Sequence, residues 1–203
     1  MYKKLLISFE GIETSGKSTH IKNVASYLKS RNYKFIKFRE PGGSKNSEKI
    51  RKLILNKKNN FNNKTDLLLY LASRSENFNS LINQNYRKKI ILIDRFIDST
   101  FAYQYGGMGL NKKIIDILNK FILGSLKPDF TFFFIVNKNS LRERLKRRKN
   151  LNRYDKFNFA FYSKVQSSFL KLSKKRRHSI INSNNDLKIN KKIILEKLNK
   201  ILK

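Results

Sequence analysis

Near its N-terminus the chain reads KLLISFEGIETSGKS, from Lys4 to Ser18. Residues 4–9 form an apolar run of strand length, which is typical of a strand buried on both faces of a parallel sheet. A turn with glycines at positions 11 and 16 follows, and a helical segment begins at about Ser18. A buried strand, a glycine-bearing turn and a helix in direct succession predict the first unit of an α/β domain.

The turn matches the eight-position pattern G-x-x-x-x-G-K-[ST], with Lys17 and Ser18 at its end. Its glycines let the loop bend until backbone N–H groups point at phosphate oxygens, and the following helix adds its positive N-terminal end. The lysine supplies charge for the outer phosphates, and the serine hydroxyl can ligate Mg²⁺. A simple glycine turn capped by Ser18 is the less specific alternative. We therefore expect nucleotide phosphates to be bound by Gly11, Ile12, Glu13, Thr14, Ser15, Gly16, Lys17, Ser18 and Thr19.

Downstream of this turn, predicted helices alternate with predicted strands. Strands are predicted at 34–39, 90–94, 130–136 and 179–181, and helices at 18–30, 47–55, 65–85, 112–123, 140–149, 156–177 and 190–202. The alternation predicts an α/β fold with a parallel five-stranded sheet and helices on both faces. Because no internal repeat or flexible linker divides the chain, we expect a single domain over residues 1–203, with a basic loop at about 147–156.

The charge of the chain is strongly basic. Its 203 residues include 46 Lys and Arg against 14 Asp and Glu, a formal net charge of +32. A field of that strength attracts polyanions, and nucleic acid is one candidate partner. Compositional drift toward lysine and asparagine at exposed positions explains the same charge, since substitutions there change stability little. We favour drift, and expect no specific nucleic-acid partner.

Composition also excludes several classes of protein. Hydrophobic residues make up 39% of the chain and aromatic residues 12%, which excludes disorder throughout. The chain has no cysteine and only two histidines, which excludes a disulfide framework and argues against a zinc cluster. No apolar run reaches the roughly 18 residues of a membrane span. We expect a cytoplasmic protein with neither a membrane anchor nor a signal peptide.

Asp94 ends the apolar run that begins at Ile90. A carboxylate at the carboxyl edge of a parallel sheet, beside a phosphate-binding turn, is where a second group directed at Mg²⁺ is expected. In isolation, an aspartate at a strand end is more often a turn or helix cap. Together with the turn, it predicts a metal site made by Ser18 and Asp94.

Three arginines lie at predicted strand ends or on a predicted helix, close to the expected phosphate-binding site. Arg39 precedes Glu-Pro-Gly-Gly, Arg74 lies on a predicted helix, and Arg95 directly follows Asp94. Planar guanidinium groups bind phosphate bidentately, so their convergence predicts a site for a second, phosphorylated substrate. The phosphate of such an acceptor is already largely ionised near neutral pH, with a second pKa of about 6. Catalysis then requires charge neutralisation and alignment more than a general base.

Several strings together resemble the thymidylate kinase family, the P-loop nucleoside monophosphate kinases that transfer the γ-phosphoryl of ATP to dTMP. They are FEGIETSGKS at 9–18, FREPGG at 38–43, Tyr70 with Arg74, DRFIDS at 94–99, AYQ at 102–104, Pro128-Asp129, and NRYD at 152–155. These strings occur in the family's order over about three quarters of the chain. The turn alone would indicate only a superfamily of P-loop proteins. The FREPGG, DRFIDS and AYQ strings narrow the resemblance to the thymidylate kinase family.

The resemblance implies an acceptor site for dTMP. It would be formed by Glu13, Arg39, Tyr70, Arg74, Arg95, Ser99, Thr100, Tyr103 and Gln104. In the family pattern the acidic residue of the turn meets the sugar 3′-hydroxyl, and Arg39 and Arg95 match clamps on the acceptor phosphate. The helical pair of Tyr70 and Arg74 matches the thymine-binding residues, with the base stacked on the tyrosine. Tyr103 resembles the ring that disfavours a 2′-hydroxyl.

The resemblance also implies ATP as donor, Mg²⁺, a homodimer, and a lid whose arginines Arg147, Arg148 and Arg153 close over the ATP phosphates. With Lys17 and Arg95, these arginines are the expected catalytic cations. The chain departs from the family pattern at Asn152, Met108 and Asn182-Ser183. Two alternatives stay open: a kinase for another monophosphate or a deoxynucleoside, and a P-loop protein that binds nucleic acid and hydrolyses ATP slowly.

Overall fold

The computed structural model describes residues 5–147, 154, 157–174 and 177–203. The strands are β1 Leu6–Gly11, β2 Phe35–Arg39, β3 Ile90–Asp94, β4 Phe130–Ile135 and β5 His178–Asn182. They form one parallel sheet in the order β2-β3-β1-β4-β5. This confirms the predicted α/β fold class. All five strands are parallel, and helices lie between consecutive strands along the chain, as parallel pairing requires.

Helices cover the sheet on both sides. They are α1 Lys17–Ser30, α2 Lys45–Leu55, α3 Asn63–Asn77, α4 Asn83–Asn85, α5 Ile97–Thr100, α6 Lys112–Leu123, α7 Lys138–Lys146, α8 Phe159–Leu172 and α9 Leu187–Leu202. Two π-helical segments, Phe78–Ile82 and Phe101–Gly107, follow α3 and α5 respectively. In the part of the chain that is described, no helix is long and apolar enough to cross a membrane.

Successive side chains of β1 point to opposite faces of the sheet, so they pack into two separate layers of the core. Ile7 and Phe9 face α1 and α9, where they pack with Val24 and Leu198. Leu6 packs on the opposite layer, with residues of β3 and the end of α6. Both faces of the strand are therefore buried, as its continuous apolar run predicts.

The predicted helix at 65–85 is interrupted in the structure. It is α-helical over Asn63–Asn77, π-helical over Phe78–Ile82 and α-helical again over Asn83–Asn85. The helix predicted at 156–177 is shorter, Phe159–Leu172, because Asn158 caps it by accepting a hydrogen bond from the Phe161 N–H.

The helical segment at 97–107 was missing from the sequence prediction. Its serine, threonine and glycines are weak helix formers, and close packing on α8 explains the glycines. A Cβ on Gly106 would overlap the Ser168 side chain, and one on Gly107 would lie 2.6 Å from the Phe161 ring.

The register places three strand ends at one level. Phe9 of β1 and Arg39 of β2 both pair with Asp94 of β3. The residues next along the chain, Glu10, Glu40 and Arg95, therefore lie at the same edge of the sheet.

Candidate active site

A cavity of about 270 Å³ opens at this edge. Its wall includes Tyr154 and most of the sequence-predicted residues: Glu13, Thr14, Lys17, Ser18, Arg39, Tyr70, Arg74, Asp94, Arg95, Ser99, Thr100, Tyr103 and Gln104. The cavity thus joins the glycine-bearing turn to the strings around residues 39, 74 and 95, which are far apart in sequence.

Lys17 folds back over the turn, which we call the β1–α1 loop (residues 11–16). Its Nζ donates to the carbonyl oxygens of Gly11 at 3.0 Å and Ile12 at 2.7 Å. Gly11 has φ 147°, and a Cβ there would meet the Phe134 carbonyl oxygen at 2.5 Å, so the loop can approach β4 only with glycine. Burial and the nearby Arg95 lower the pKa of Lys17 to about 8, although Asp94 and Glu13 oppose this. The ammonium group is held among carbonyls at the mouth of the loop.

Ser18 and Asp94 lie together, as the sequence predicts. The Ser18 Oγ donates to Asp94 Oδ2 at 3.2 Å. The other carboxylate oxygen, Oδ1, is buried and has no hydrogen-bond partner among the described residues. A hydroxyl and a carboxylate with an unused oxygen are the hard oxygen ligands that Mg²⁺ prefers, so this pair fits the predicted metal site.

Arg95 is held by contacts at both ends of its guanidinium group. Nη2 pairs with Glu13 Oε1 at 3.0 Å, and Nη1 donates to the Ser99 Oγ at 3.3 Å. The Tyr103 hydroxyl donates to the other oxygen of Glu13, and the Tyr103 ring lies 5.0 Å from the Arg95 Cζ. Burial alone would raise the pKa of Glu13, but the cations of Arg95 and Lys17 bring it below its ordinary value. Glu13 is therefore an ionised partner that orients Arg95.

Arg74 is more deeply buried than the sequence suggested, with 2% of its surface exposed. Its Nε pairs with Glu40 Oε2 at 2.8 Å, and its Nη1 donates to Asn119 Oδ1 at 2.6 Å. The guanidinium group also lies over the Phe96 ring at 5.1 Å. Two of its donor groups are thus used inside the protein, although the side chain also lines the cavity.

Glu40 and Arg51 also line this part of the wall, although the sequence did not predict them as site residues. Glu40 anchors Arg74, and its place in Arg39-Glu-Pro-Gly-Gly43 was the available signal. Arg51 of α2 lines the cavity and donates to the Pro41 carbonyl at 2.7 Å. Nothing in the local sequence of α2 distinguishes Arg51 from the surrounding lysines. Arg39 lies at the rim, where it pairs with Glu48 at 3.2 Å and is half exposed.

Two tyrosines form the far wall. The Tyr70 ring meets the Tyr154 ring edge-on, with centroids 6.0 Å apart. The Tyr154 hydroxyl donates to Asp66 Oδ2 at 2.6 Å, which connects Tyr154 to α3. Burial raises the pKa of Tyr70 to about 12, so its phenol stays neutral. Tyr154 belongs to the NRYD string at 152–155, but the sequence did not predict that its side chain lines this cavity.

The remaining predicted residues are less informative. Thr100 and Gln104 are buried at the wall, and the Ser99 hydroxyl is used by Arg95 and by Glu10. Arg147 is exposed at the end of α7, while Arg148 and Arg153 lie outside the described residues. A further arginine, Arg144, donates to the carbonyls of Thr14 and Ser183 and so ties the β1–α1 loop to the segment after β5.

Comparison with known proteins extends these observations. Residues 9–194 match the family model described as thymidylate kinase. The thymidylate kinase of Thermosipho africanus is 39% identical over 178 residues, which cover 87% of this chain and 88% of the relative. That of Mycoplasma capricolum is 38% identical over 204 residues, with 96% of each chain covered. The crystal structure of thymidylate kinase from Ehrlichia chaffeensis superposes with a TM-score of 0.78 at 31% identity, covering 96% of this chain and 98% of the other.

Proposed function

The chain belongs to the thymidylate kinase family, and on this premise we propose that it transfers the γ-phosphoryl group of ATP to dTMP, giving ADP and dTDP. The observation that carries the proposal is the cavity itself. It joins the β1–α1 loop to Tyr70, Arg74, Arg95 and Tyr103, which are the residues of the family strings. The cationic groups in its wall outnumber the carboxylates, as a site for two phosphorylated molecules requires.

The donor side is formed by the loop and its flanking residues. Backbone N–H groups of residues 11–19 and the N-terminal end of α1 would hold the ATP phosphates. Ser18 and Asp94 would hold Mg²⁺, which supplies charge neutralisation and geometry to the transferred group when bound. Lys17 would leave the loop carbonyls for the outer phosphates, whose negative charge is the stronger partner.

On the acceptor side, arginine side chains would bind the phosphate group of dTMP. Arg95, with Arg39 at the rim and Arg51 on α2, would hold the phosphate of dTMP. An oxygen of that phosphate forms the new P–O bond as the bond to ADP breaks, and no proton has to be removed from an acceptor that is already ionised. Arg95 and Lys17 would neutralise the charge that develops between the two phosphates.

The nucleoside end of the acceptor would lie between the tyrosines. Tyr70 offers a neutral ring for the base to stack on, and the free edge of Arg74 offers donors to the thymine edge. Glu13 would meet the 3′-hydroxyl, with Tyr103 crowding the 2′ position. Ser99, Thr100 and Gln104 complete this proposed wall.

The proposal also includes a lid over the donor site, a dimeric assembly and a cellular location. Arg147, Arg148 and Arg153 would close over the ATP phosphates, as one part of a single kinase domain. We also propose a cytoplasmic homodimer. The apolar side chains of Ile117 and Phe121 on α6 support a dimer, since they are 66% and 86% exposed.

An acceptor-specificity assay tests this function. ADP release is measured with ATP and Mg²⁺ in the presence of dTMP, dUMP, dCMP, dGMP or thymidine. We expect strong turnover with dTMP and weaker turnover with dUMP. Turnover with another monophosphate would keep the phosphate chemistry but reject Tyr70 and Arg74 as readers of thymine. No acceptor-dependent turnover, together with retention on DNA that decays with salt, would favour a nucleic-acid-binding P-loop protein.

A further inference from the structure

Glu10 is a buried carboxyl group that the proposed mechanism does not use. It lies at the carboxyl end of β1 with 0% of its surface exposed, and it does not line the active-site cavity. A carboxylate in the core is costly unless hydrogen bonds satisfy it. Burial, with the neighbouring charge of Asp98, raises the pKa of Glu10 to about 8, which shows how unfavourable the charged form is here.

Both oxygens of Glu10 contact the segment that follows Arg95. The Phe96 N–H donates to Oε1 at 2.7 Å, and the Ser99 hydroxyl donates to Oε2. The same Ser99 Oγ accepts the hydrogen bond from Arg95 Nη1 at 3.3 Å. Glu10 is therefore connected to Arg95 by two routes. One runs through the backbone N–H of Phe96, and the other runs through the Ser99 hydroxyl to the Arg95 guanidinium group.

The backbone of Arg95 needs such support. Its φ is +68°, a left-handed conformation that is unfavourable for a non-glycine residue. Two consecutive N–H groups are fixed by two consecutive residues of β1. The Arg95 N–H donates to the Phe9 carbonyl at 3.0 Å, and the Phe96 N–H donates to the Glu10 carboxylate. These bonds offset the strain and determine where the Arg95 side chain leaves the turn.

We propose that Glu10 is a positioning residue, which holds Arg95 at the acceptor phosphate through the Phe96 N–H and the Ser99 hydroxyl. The assignment rests on the proposed function, because Arg95 is its target. Methionine has nearly the length and shape of glutamate but no oxygen that accepts hydrogen bonds. In Glu10→Met, the Phe96 N–H and the Ser99 hydroxyl therefore both lose their partner, whether or not the carboxyl group is ionised, and the Arg95 turn loses its support.

A double-mutant cycle tests the proposal by kinetics. We expect Glu10→Met to lower kcat with dTMP about tenfold while leaving the KM for ATP within twofold. In an Arg95→Ala background the same change should lower kcat by less than twofold, because its target is gone. An equal tenfold loss in both backgrounds would overturn the proposal. Ser8→Ala is the matched control, since Ser8 is buried two residues earlier in β1 and its hydroxyl is hydrogen-bonded only to the Thr131 hydroxyl among the described residues.

Two further measurements separate failure of this proposal from failure of the proposed function. Hydrogen exchange of the Phe96 amide needs no activity, and it should be faster in Glu10→Met than in the wild type or in Ser8→Ala. Unchanged exchange would overturn the proposal even if wild-type turnover with dTMP is strong. Where Glu10→Met fails to fold, Ser99→Ala replaces it. That variant removes only the hydroxyl bridge, and its loss of kcat should likewise vanish in the Arg95→Ala background.

Discussion

Tyr103 illustrates how one side chain combines several roles. Its hydroxyl donates to Glu13, its ring covers Arg95, and it packs between Phe161 and Phe169. The proposed steric role toward the sugar depends on the ring, whereas the hydrogen bond to Glu13 depends on the hydroxyl. The two roles can therefore be separated by substitution.

We expect Tyr103→Ala to raise the kcat/KM ratio of the ribose monophosphate over dTMP about tenfold, because the ring no longer crowds the 2′ position. Tyr103→Phe is the matched control. It keeps the ring, so the sugar preference should stay near the wild-type value while kcat falls severalfold. Competing-substrate assays measure both ratios. A sugar preference that is the same in all three proteins would remove Tyr103 from sugar selection.

Lys17 gives a prediction for pH. Its pKa of about 8 in the free protein means that the ammonium group loses its proton above that pH. Phosphates of a bound nucleotide stabilise the charged form and raise this pKa, so binding above pH 8 must take up a proton. We expect the ATP association constant to be nearly constant below pH 8 and to fall by up to about tenfold per pH unit above it.

Isothermal titration between pH 7 and 10 measures this dependence. In Lys17→Met, ATP binding should be weaker and should no longer change around pH 8. If the wild-type protein binds ATP equally well at pH 7 and pH 9.5, Lys17 does not titrate as the structure indicates.

At the scale of the elements, asparagine and other small polar residues determine where helices begin. The side chains of Asn62, Asn111, Asn137 and Asn158 each accept a hydrogen bond from a backbone N–H in the first turn of α3, α6, α7 and α8. These bonds satisfy donors that the helix itself leaves unpaired. The asparagines that a composition count attributes to drift therefore include residues with a structural role.

We expect Asn158→Ala to reduce the free energy of unfolding by about 1 kcal/mol, which corresponds to a Tm lower by about 2–4 °C. Asn60→Ala is the control, because Asn60 is exposed in a loop, and such changes cost less than about 0.5 kcal/mol. Differential scanning calorimetry compares the two variants. Equal Tm values for both would show that the α8 cap contributes nothing to stability.

Periodicity predicts elements well where the pattern is long and apolar. The residues of β3 and α6 are those predicted, and the other strands differ by no more than two residues at either end. Residues 97–107 were not predicted as helical, because their helix depends on packing against α8 and not on local propensity. The start of α9 at Leu187, three residues before its predicted start, reflects the cap at Asp186.

In the candidate site too, the sequence predicts local motifs but not the contacts that depend on tertiary packing. Motifs located the β1–α1 loop, Asp94 and Arg95, because the chemistry of each is local in sequence. The pairing of Arg74 with Glu40 and the place of Arg51 depend on how α2 and α3 pack over the sheet edge. No single-sequence pattern encodes such contacts, since they join residues that are tens of positions apart.

At the scale of the whole molecule, α6 has an apolar face that the described fold leaves uncovered. Ile114, Ile117 and Phe121 are 52%, 66% and 86% exposed, and their spacing places them on one side of the helix. Covering this face with the same face of a second copy would bury apolar surface that water otherwise contacts. The net charge of +32 on each copy opposes that association.

We therefore expect a dimer of twice the 24.1 kDa chain mass whose stability rises with salt, because screening reduces repulsion between the copies. Phe121→Lys should convert it to a monomer, since it places a charge at the centre of the apolar face. Ile180→Lys is the matched control, because Ile180 is 51% exposed on the edge strand β5, away from α6. Sedimentation equilibrium at 0.05, 0.15 and 0.5 M salt measures the masses. A wild-type monomer at all three concentrations, or a Phe121→Lys dimer, would show that α6 is not the contact between copies.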